Sequence, residues 1–430
     1  MFSKTTEKGQ ALILIALGAI ALFAFAALAI DGSRVYSNKR HAQNAADTAV
    51  LAAGLAYARD NNITFAGIED IAQGRATSNG YNAENPSNVV TVEVVDIPAA
   101  SDDCPEDLEG KDITVTIVST IPTTFARVLG RSDITTAATA TSRTCESKLE
   151  PPFDGNAIVA LAPSGKAYDG TGNPKWLIEG GGIFANSASS NAAYCNGAAE
   201  ITAPSISVVG GVDLGCHKVT IEGTTNTDAS PYTNYQSMAK FFPPVPDCEG
   251  TATFSGGQWK PDPNADKAKS GSKVAFSGDM DFASGLYCIT NSPGPYHGAL
   301  TGNGVTFVAL PSNFEMTFNG SGNSFNASAP TGGEYEGVLI YLPPQVDASG
   351  NLVMTQELDL RGNGTFGDII GTILAPSAQV TLFGNSGTGE MNTQVIAYQV
   401  DSGGTADIHV NYDPDDNYKY PTPILLTVVE

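Results

Sequence analysis

The feature that most constrains this chain is an unbroken apolar run near its N-terminus, residues 11–30 (ALILIALGAIALFAFAALAI). A helix of this length, at about 1.5 Å per residue, reaches roughly 30 Å, the thickness of the hydrocarbon core of a bilayer. Lys4 and Lys8 before the run and Ala27-Leu28-Ala29 near its end would also fit a cleaved secretory signal. The length of the run, and its continuation into Ala-rich sequence without proline over residues 35–57, favour a retained single-pass anchor that continues as one long helix.

The charge of the chain is uneven. Its 22 Lys and Arg stand against 45 Asp and Glu, for a formal net charge of −23. Residues 1–60 hold six basic and four acidic residues, so they carry +2 and the remainder carries −25. An acidic body of this size repels phosphate backbones, which argues against nucleic acid as a partner. Basic residues on the two sides of the apolar run are nearly balanced, so they do not set its orientation.

Cysteine usage indicates the compartment of the acidic body. The chain has six cysteines and no C-x-x-C pair, and the adjacent Cys216 and His217 would be a poor pair of zinc ligands. In a body rich in Gly, Asn, Thr and Ser, six cysteines are more typical of three disulfides than of reactive thiols. We therefore expect the body to lie outside the cytoplasm, in an oxidising or exposed space. The disulfide candidates are Cys104, Cys145, Cys195, Cys216, Cys248 and Cys288.

Several short motifs occur together around the apolar run. Gly9-Gln10-Ala11-Leu12 opens it, Asp31 and Arg34 follow it, and the segment 42–49 (AQNAADTA) comes next. This combination resembles the N-terminal segment of TadE/TadG-like proteins, the pilus-assembly proteins of the tight-adherence (Flp-type) secretion systems of bacteria. The resemblance implies a bitopic, surface-facing protein tied to pilus assembly or adhesion. The family-motif residues are Asp31, Arg34, Gln43, Asn44 and Asp47.

Residues 61–150 are typical of a small α/β module, whose order of elements also resembles the periplasmic module of TadG-like proteins. The patterns predict helices over 64–80 and 124–130, and strands over 89–95, 113–118 and 134–141. Cys104 and Cys145 flank the module, and a bridge between them would close a loop of about 40 residues, worth on the order of 4 kcal/mol. Glu150-Pro151-Pro152 is the expected boundary.

The rest of the chain, residues 151–430, contains a repeat. Segment 358–364 (LDLRGNG) aligns with 380–386 (VTLFGNS), and the same offset of 22 matches apolar, glycine and acidic positions through the strand that follows. A period near 22 with short strands and Gly/Asn turns is typical of one coil of a parallel β-helix, in which each residue stacks about 4.8 Å from its counterpart. An antiparallel sandwich is the alternative, and we favour the β-helix. Weaker copies begin at Met316 and Leu300.

The β-helix suggests how the remaining cysteines pair. Cys195 and Cys216 are 21 residues apart, close to one coil. Stacked neighbours at about 4.8 Å meet the Cα separation that a disulfide accepts. Cys248 and Cys288 are 40 residues apart and need a loop between them, for which 261–272 is suitable. The hypothesis is therefore bridges 104–145, 195–216 and 248–288.

Few residues indicate chemistry. None of the four histidines lies in an H-E-x-x-H motif or beside a nucleophile motif, and neither G-x-S-x-G nor a Walker A sequence occurs. The acidic segment 413–416 lacks the EF-hand spacing and is more typical of a solvated turn than of a calcium site, as is segment 347–351. The histidines are His41, His217, His297 and His409.

The charged residues of the repeat suggest a further hypothesis, an enzyme that cleaves glycans on a β-helix scaffold. Such enzymes need paired carboxylates in a groove. Residues at repeat positions more often form an exposed ladder, so we expect no catalytic, cofactor-binding or metal-binding residues. The charged repeat positions are Asp359, Arg361, Asp368 and Glu390.

These observations predict a multidomain fold. Residues 1–60 are the membrane anchor and long helix, 61–150 the TadG-like α/β module, and 151–430 a mainly-β domain of the parallel β-helix type. We expect a membrane-anchored, surface-exposed structural protein associated with pilus assembly or adhesion, not an enzyme. It would lie in the cell membrane with its large C-terminal part extracytoplasmic.

The expected partners are membrane lipid and the pilus-assembly machinery or other envelope proteins, with a glycan surface as a further candidate. The alternative is a polysaccharide-active or glycan-binding enzyme on a β-helix scaffold.

Overall fold

The fold is that of a computed structural model, which describes residues 8–60, 63–82, 85–99, 104, 108–264, 270–320, 325–362, 369–384, 389–405, 407–422 and 425–429. The chain divides into two compact units. The first unit consists of residues 1–148 with 421–430, and the second of residues 149–420.

Helices dominate the start of the chain and strands the remainder. The helices are α1 (Lys8–Arg59), α2 (Phe65–Ser78) and α3 (Tyr235–Met238), with 3₁₀ helices at Ala126–Leu129, Pro152–Gly155 and Ala239–Phe241. The strands are β1 (Asn88–Ile97), β2 (Gly110–Pro122), β3 (Asp133–Cys145), β4 (Leu149–Glu150), β5 (Ile158–Ala160), β6 (Tyr168–Gly172), β7 (Lys175–Glu179), β8 (Ile183–Ala185), β9 (Ala193–Ala203), β10 (Ile206–Val208), β11 (Val212–Ile221), β12 (Thr225–Asn226), β13 (Asp247–Thr251), β14 (Thr253–Ser255), β15 (Gln258–Lys260), β16 (Ser270–Val274), β17 (Met280–Phe282), β18 (Gly285–Ile289), β19 (Gly294–Tyr296), β20 (Leu300–Asn303), β21 (Val305–Ala309), β22 (Glu315–Gly320), β23 (Phe325–Ser328), β24 (Val338–Tyr341), β25 (Gln356–Gly362), β26 (Ile369–Ile370), β27 (Thr372–Gly384), β28 (Gly389–Asn392), β29 (Val395–Gly404), β30 (Ile408–Asn411), β31 (Tyr420–Pro421) and β32 (Leu425–Val429).

The first unit packs one long helix against an antiparallel sheet. α1 is 52 residues long, and its apolar run is largely exposed while its second half buries one face. The sheet has the order β1–β2–β3–β32, and α2 packs beside α1. The helix predicted over 64–80 is present as α2, the one predicted over 124–130 is the short 3₁₀ helix Ala126–Leu129, and the predicted strands are β1, β2 and β3. Each strand is longer than predicted, because β2 pairs with both neighbours along nearly its whole length.

Small residues allow α1 to approach the sheet closely. Ala42, Ala46, Ala49 and Ala53 recur at helical spacing and are fully buried. A Cβ atom on Gly54 would lie 2.5 Å from Thr144 Oγ1 and 2.6 Å from Leu426 Cδ1. Because that separation is shorter than van der Waals contact, this turn of α1 needs a glycine.

The last strand, β32, belongs to the first unit. It pairs antiparallel with β3, with Val429 opposite Thr141 and Leu425 opposite Cys145. Residues 421–430, which the sequence groups with the β-helix, are therefore part of the first unit. The second unit is an insertion between β3 and β32.

The second unit is a parallel β-helix, as predicted. Its strands pair in parallel with the strands one coil away, with a local antiparallel hairpin at β14 and β15. The offset of 22 is the stacking register, which places Leu358 opposite Val380 and Leu360 opposite Leu382. Met316 stacks on Leu358 with an offset of 42, because a longer connection joins β24 to β25. The rest of the predicted repeat at 363–368 and 385–386 lies outside the described residues.

The chain enters the β-helix in the middle of the stack. From β5 it builds coils toward one end, finishing at β12, and residues 227–246 then cross to the other end. From β13 the coils build back until β29 stacks on β5 and β6, and β30 on β7. Val395 thus pairs with Ile158, although most of the unit lies between them in sequence.

The crossing segment covers the outside of one face of the β-helix. Strands β5, β8, β21 and β24 of this face are buried on both sides, so their residues are apolar apart from Thr306 of β21. Two tyrosines fix the crossing segment: Tyr341 Oη donates to the carbonyl of Pro243 at 2.9 Å, and Tyr335 Oη to that of Pro244 at 2.8 Å. Phe241 and Phe242 pack on Phe153.

Three disulfides join the pairs hypothesised from the sequence. They are Cys104–Cys145 in the first unit, and Cys195–Cys216 and Cys248–Cys288 in the second. Cys195 and Cys216 lie on the adjacent strands β9 and β11, with Cα atoms 5.3 Å apart. A Cβ atom on Gly271 would collide with Cys288 Sγ, so this glycine leaves the space that the third bridge occupies.

Candidate functional site

The family-motif residues lie where α1 meets the rest of the first unit, and Asp31 is the most constrained of them. Its carboxylate accepts three backbone N–H groups: Thr124 N lies 2.9 Å from Oδ1, and Phe125 N and Ala126 N lie 2.9 and 2.7 Å from Oδ2. Successive N–H groups at a turn form an anion-binding concavity. These hydrogen bonds, that of Ala126 first, hold the pKa of Asp31 below its usual range.

Arg34 contacts the same loop one helical turn later. Its Nη1 donates to Thr124 Oγ1 at 2.6 Å, while most of the side chain stays exposed. Asp31 and Arg34 face the same way because residues three apart lie on one side of a helix. Together they attach the segment that begins at Thr124 to the point where α1 leaves the apolar run.

Gln43 connects the helix to the sheet. Its Nε2 donates to Asp47 Oδ1 at 2.9 Å and to the carbonyl of Thr139, on β3, at 3.0 Å. Asp47 therefore orients Gln43 from the next turn of α1. Asn44 is exposed, and its side chain makes no hydrogen bond within the described part of the chain.

Two further contacts along α1 were not singled out from the sequence. Asn38 Nδ2 donates to Thr136 Oγ1 at 3.0 Å, and Tyr57 Oη donates to Glu146 Oε1 at 2.7 Å. The spacing of Asn38 from Asp31 and Arg34, at i+7 and i+4, is the signal that could have identified it. No comparable signal marks Tyr57, whose partner comes from distant sequence.

Two findings concern helix α1 as a whole. Within the described residues, α1 is the helix long and apolar enough to cross a membrane, and none of its most apolar segment is buried. Residues 9–60 match the family model for the putative Flp pilus-assembly TadE/G-like domain, and they contain all five motif residues. This part of the chain is therefore similar to TadE/G-like domains, and together with the apolar helix it fits a membrane-anchored, pilus-associated protein. Neither a curated protein nor a solved structure matches the chain.

A polar ladder runs along the outside of the β-helix. Asp359, Thr381, Asp401 and Asp169 occupy successive coils. The expectation that this ladder is exposed is wrong for Asp359, which is 1% exposed because its stacked neighbours flank it and Arg361 Nη2 lies 2.5 Å from its Oδ2.

Three other acidic residues belong to the repeat or to its ladder: Asp368, Glu390 and Asp401. Burial raises the pKa of Asp401, although Gln399 and Gln379 donate to its carboxylate. Asp368 lies outside the described residues, and Glu390 lies on β28.

The acidic segments 347–351 and 413–416 both form turns in which an aspartate side chain accepts backbone N–H groups. Asp413 Oδ1 accepts the N–H of Asp415 at 2.9 Å, and Asp347 Oδ1 accepts those of Ser349 and Asn351 at 2.8 and 2.9 Å. In the described ranges, no three His, Cys, Asp or Glu side chains come together as a metal site.

His41 and His409 take part in separate, pairwise contacts. His41 Nδ1 lies 3.2 Å from Tyr81 Oη, and His409 Nε2 lies 2.6 Å from Glu179 Oε2. His217 lies on β11, and His297 follows β19.

A polar groove of about 590 Å³ lies on the coils of β17, β20 and β23. Asp281, Thr301 and Asn326 stack in register along it. Asp281 Oδ1 accepts from Thr301 Oγ1 at 2.6 Å, and its Oδ2 accepts from Gln258 Nε2 at 2.8 Å. The groove thus presents amides and hydroxyls held in a regular row. Its remaining polar lining residues are Ser284, Asn303 and Ser328.

Proposed function

We propose that this protein is a membrane-anchored structural component of a Flp-type pilus-assembly system that holds its β-helix outside the cytoplasm. The observation that carries this proposal is the TadE/G-like domain at residues 9–60, whose apolar run continues as one helix into the core of the first unit. The three disulfides support an extracytoplasmic body, because such bridges persist in oxidising compartments.

We further propose that the β-helix acts in adhesion. A β-helix with continuous ladders is a rigid surface, and the net charge of −25 outside residues 1–60 keeps such a surface soluble. Deleting the gene and complementing it with the full chain or with residues 150–420 removed separates two roles. A structural adhesin predicts normal pili with reduced attachment for the shortened chain. Loss of pili with that variant would instead assign the β-helix to assembly.

Orientation is tested with the full-length protein in its own membrane. A membrane-impermeant protease added to intact spheroplasts should degrade the β-helix, whereas a cytoplasmic β-helix would be cut only after lysis. The electrophoretic shift on reduction reports the disulfides in the same samples. A body that is protected in spheroplasts and lacks the shift would contradict the proposed topology.

The groove favours a second candidate function, glycan binding without cleavage. Hydroxyls and amides in a row match the hydrogen-bonding groups of a sugar chain, and Phe254, 62% exposed on the neighbouring hairpin, offers a ring for stacking. Both oxygens of Asp281 already accept hydrogen bonds, and glycoside hydrolases use a pair of carboxylates.

A glycan array tests this second candidate. The full-length protein in detergent should bind a defined set of glycans without releasing products, and Asn326→Ala should weaken binding about ten-fold or more. Asn411→Ala, a similar change on β30 away from the groove, is the matched control. Equal binding by both variants would show that the groove does not bind the glycan.

A further inference from the structure

The loop that Asp31 holds is mostly apolar at its tip. α1 and the segment 124–134 enclose a cleft of about 600 Å³, lined mainly by apolar side chains. Phe125 is 42% exposed and Val128 is 86% exposed. In a water-soluble module, two neighbouring apolar side chains at a loop tip lose the stabilisation that burial provides, about 25 cal/mol per Å².

The cleft lies beside the C-terminal end of the apolar run. Ala24, Ala27 and Leu28, from the last two turns of the run, line the cleft together with Phe125 and Val128. Ala24 lies six residues before Ile30, which corresponds to about 9 Å along the helix. If residues 11–30 span the hydrocarbon core, a side chain that faces Ala24 to Leu28 lies at the depth of the bilayer surface.

Basic residues surround the apolar tip. Arg34, Lys39, Arg127 and Arg131 are exposed, and none of them forms an ion pair within the described part of the chain. They stand out in a protein with a net charge of −23. Lys and Arg near a membrane surface attract anionic lipid headgroups, by about 1 kcal/mol for each residue.

We propose that the loop Thr124–Gly130 is a second membrane contact, which inserts Phe125 and Val128 into the bilayer surface while Arg127 and Arg131 bind the phosphates of anionic phospholipids. The ligand is bilayer lipid, because the cleft is continuous with the membrane span. Asp31 and Arg34 are positioning residues, since their hydrogen bonds hold the loop at the exit of the helix. The inference rests on the proposed anchor and adds a surface that sets how the first unit meets the membrane.

Depth-dependent fluorescence quenching tests the proposal on the full-length protein in nanodiscs. All six native cysteines are in disulfides, so one introduced cysteine can carry an environment-sensitive dye. Val128→Cys is the test position and Phe23→Cys, within the apolar run, reports insertion of the anchor. Val95→Cys is the matched control, because it is 51% exposed and pairs with Asp112, ten residues along β2 from the membrane-proximal end at Pro122.

Lipids with a spin label near the headgroup should quench the dye at Val128 about twice as strongly as at Val95, or more. Quenching at Phe23 with none at Val128 would overturn the loop contact while leaving the anchor intact. No quenching at either position would overturn both. If Val128 is quenched only without other cell-envelope proteins, and crosslinks to one of them when they are present, a protein partner occupies the cleft and the lipid assignment fails.

The basic residues are tested with the Val128 dye in anionic and zwitterionic nanodiscs. Spin-labelled phosphatidylglycerol should quench more strongly than spin-labelled phosphatidylcholine. Arg127→Gln with Arg131→Gln should remove this preference without abolishing quenching, while Arg59→Gln, at the far end of α1, should leave it unchanged. A preference that survives the double substitution would exclude the phosphate contact.

Discussion

The two units are stabilised by different kinds of contact. In the first unit, a single helix is held against a sheet by alanines, one glycine and a few directed hydrogen bonds such as those of Asp31 and Gln43. In the second unit, identical positions of successive coils stack into ladders, so each side chain is supported by its counterparts above and below. Stability in the first unit therefore depends on individual residues, and in the second on repetition.

The largest effect on stability is expected from removing a disulfide. Replacing Cys104 and Cys145 with serine opens a loop with a sequence separation of 41 and should cost about 4 kcal/mol in the first unit, by the chain-entropy model. The same change at Cys195 and Cys216, separated by 21, should cost about 3 kcal/mol. Hydrogen exchange during urea titration of the full chain in detergent reads the two units separately. A greater loss in the second unit would reverse the comparison.

Shortening one interior side chain of the β-helix should lower the free energy of unfolding by about 3 kcal/mol. Ile178 is 1% exposed and stacks on Val410 of the last coil, so Ile178→Ala leaves a cavity that the ladder cannot close. Leu177→Ala, at the next position on β7 and 37% exposed, is the control and should change the free energy of unfolding by about 0.5 kcal/mol or less. Equal effects in urea unfolding would mean that Ile178 is not an interior ladder position.

Two helical glycines of the first unit should respond to alanine with opposite signs. Gly54→Ala should destabilise the unit by about 1–3 kcal/mol, because the new methyl group overlaps Thr144 and Leu426. Gly74→Ala, in α2 with nothing within 4 Å of the added Cβ, should stabilise it by about 0.5–1 kcal/mol through helix propensity. Thermal unfolding followed by circular dichroism gives both values. The same sign for both would remove the argument for close helix–sheet contact.

The smallest expected effect is the pH dependence of stability, which should differ between the two units. The pKa of Asp31 is lowered by its hydrogen bonds, so its contribution to stability is present at neutral pH and is lost as the pH falls through its folded-state pKa, below 3.8. The pKa of Asp401 is raised by burial, so its contribution is present below 3.8 and is lost as the pH rises through its raised pKa.

Asn substitutions should therefore act in opposite directions at neutral pH. Asp31→Asn should destabilise the first unit, and Asp401→Asn should stabilise the second. Both effects should fade at low pH, where the wild-type carboxyl groups are protonated. Hydrogen exchange of peptides covering 124–131 and 399–404 at neutral and acidic pH measures them. A destabilising effect of Asp401→Asn at neutral pH would show that its two glutamine donors outweigh the cost of burial.

Sequence periodicity predicts the elements that depend on local or repeated patterns. The apolar run, α2, strands β1 to β3 and the offset between Leu358 and Val380 all follow from residues close in sequence or from exact recurrence. The offset of 42 between Met316 and Leu358 is harder to see because an insertion interrupts the period.

Contacts that join distant segments were not predictable in the same way. The partners of Asp31 are backbone groups 93 to 95 residues away, and a backbone N–H has no signature in sequence. β32 resembles one more β-helix strand, and only its pairing with β3 shows that it completes the first sheet. The burial of Asp359 depends on the neighbouring coils, which a position in a repeat does not reveal.

The pairing of β29 with β5 has a consequence for how the protein is made. The chain is synthesised from its N-terminus, so the coils that begin at Ile158 emerge long before Val395. Until then β5, β6 and β7 present an unpaired sheet edge, which is a template for association with other chains. Folding that waits for such non-local contacts is slow. We therefore expect folding of this protein to require a chaperone, and its early coils are the segment that such a chaperone would shield.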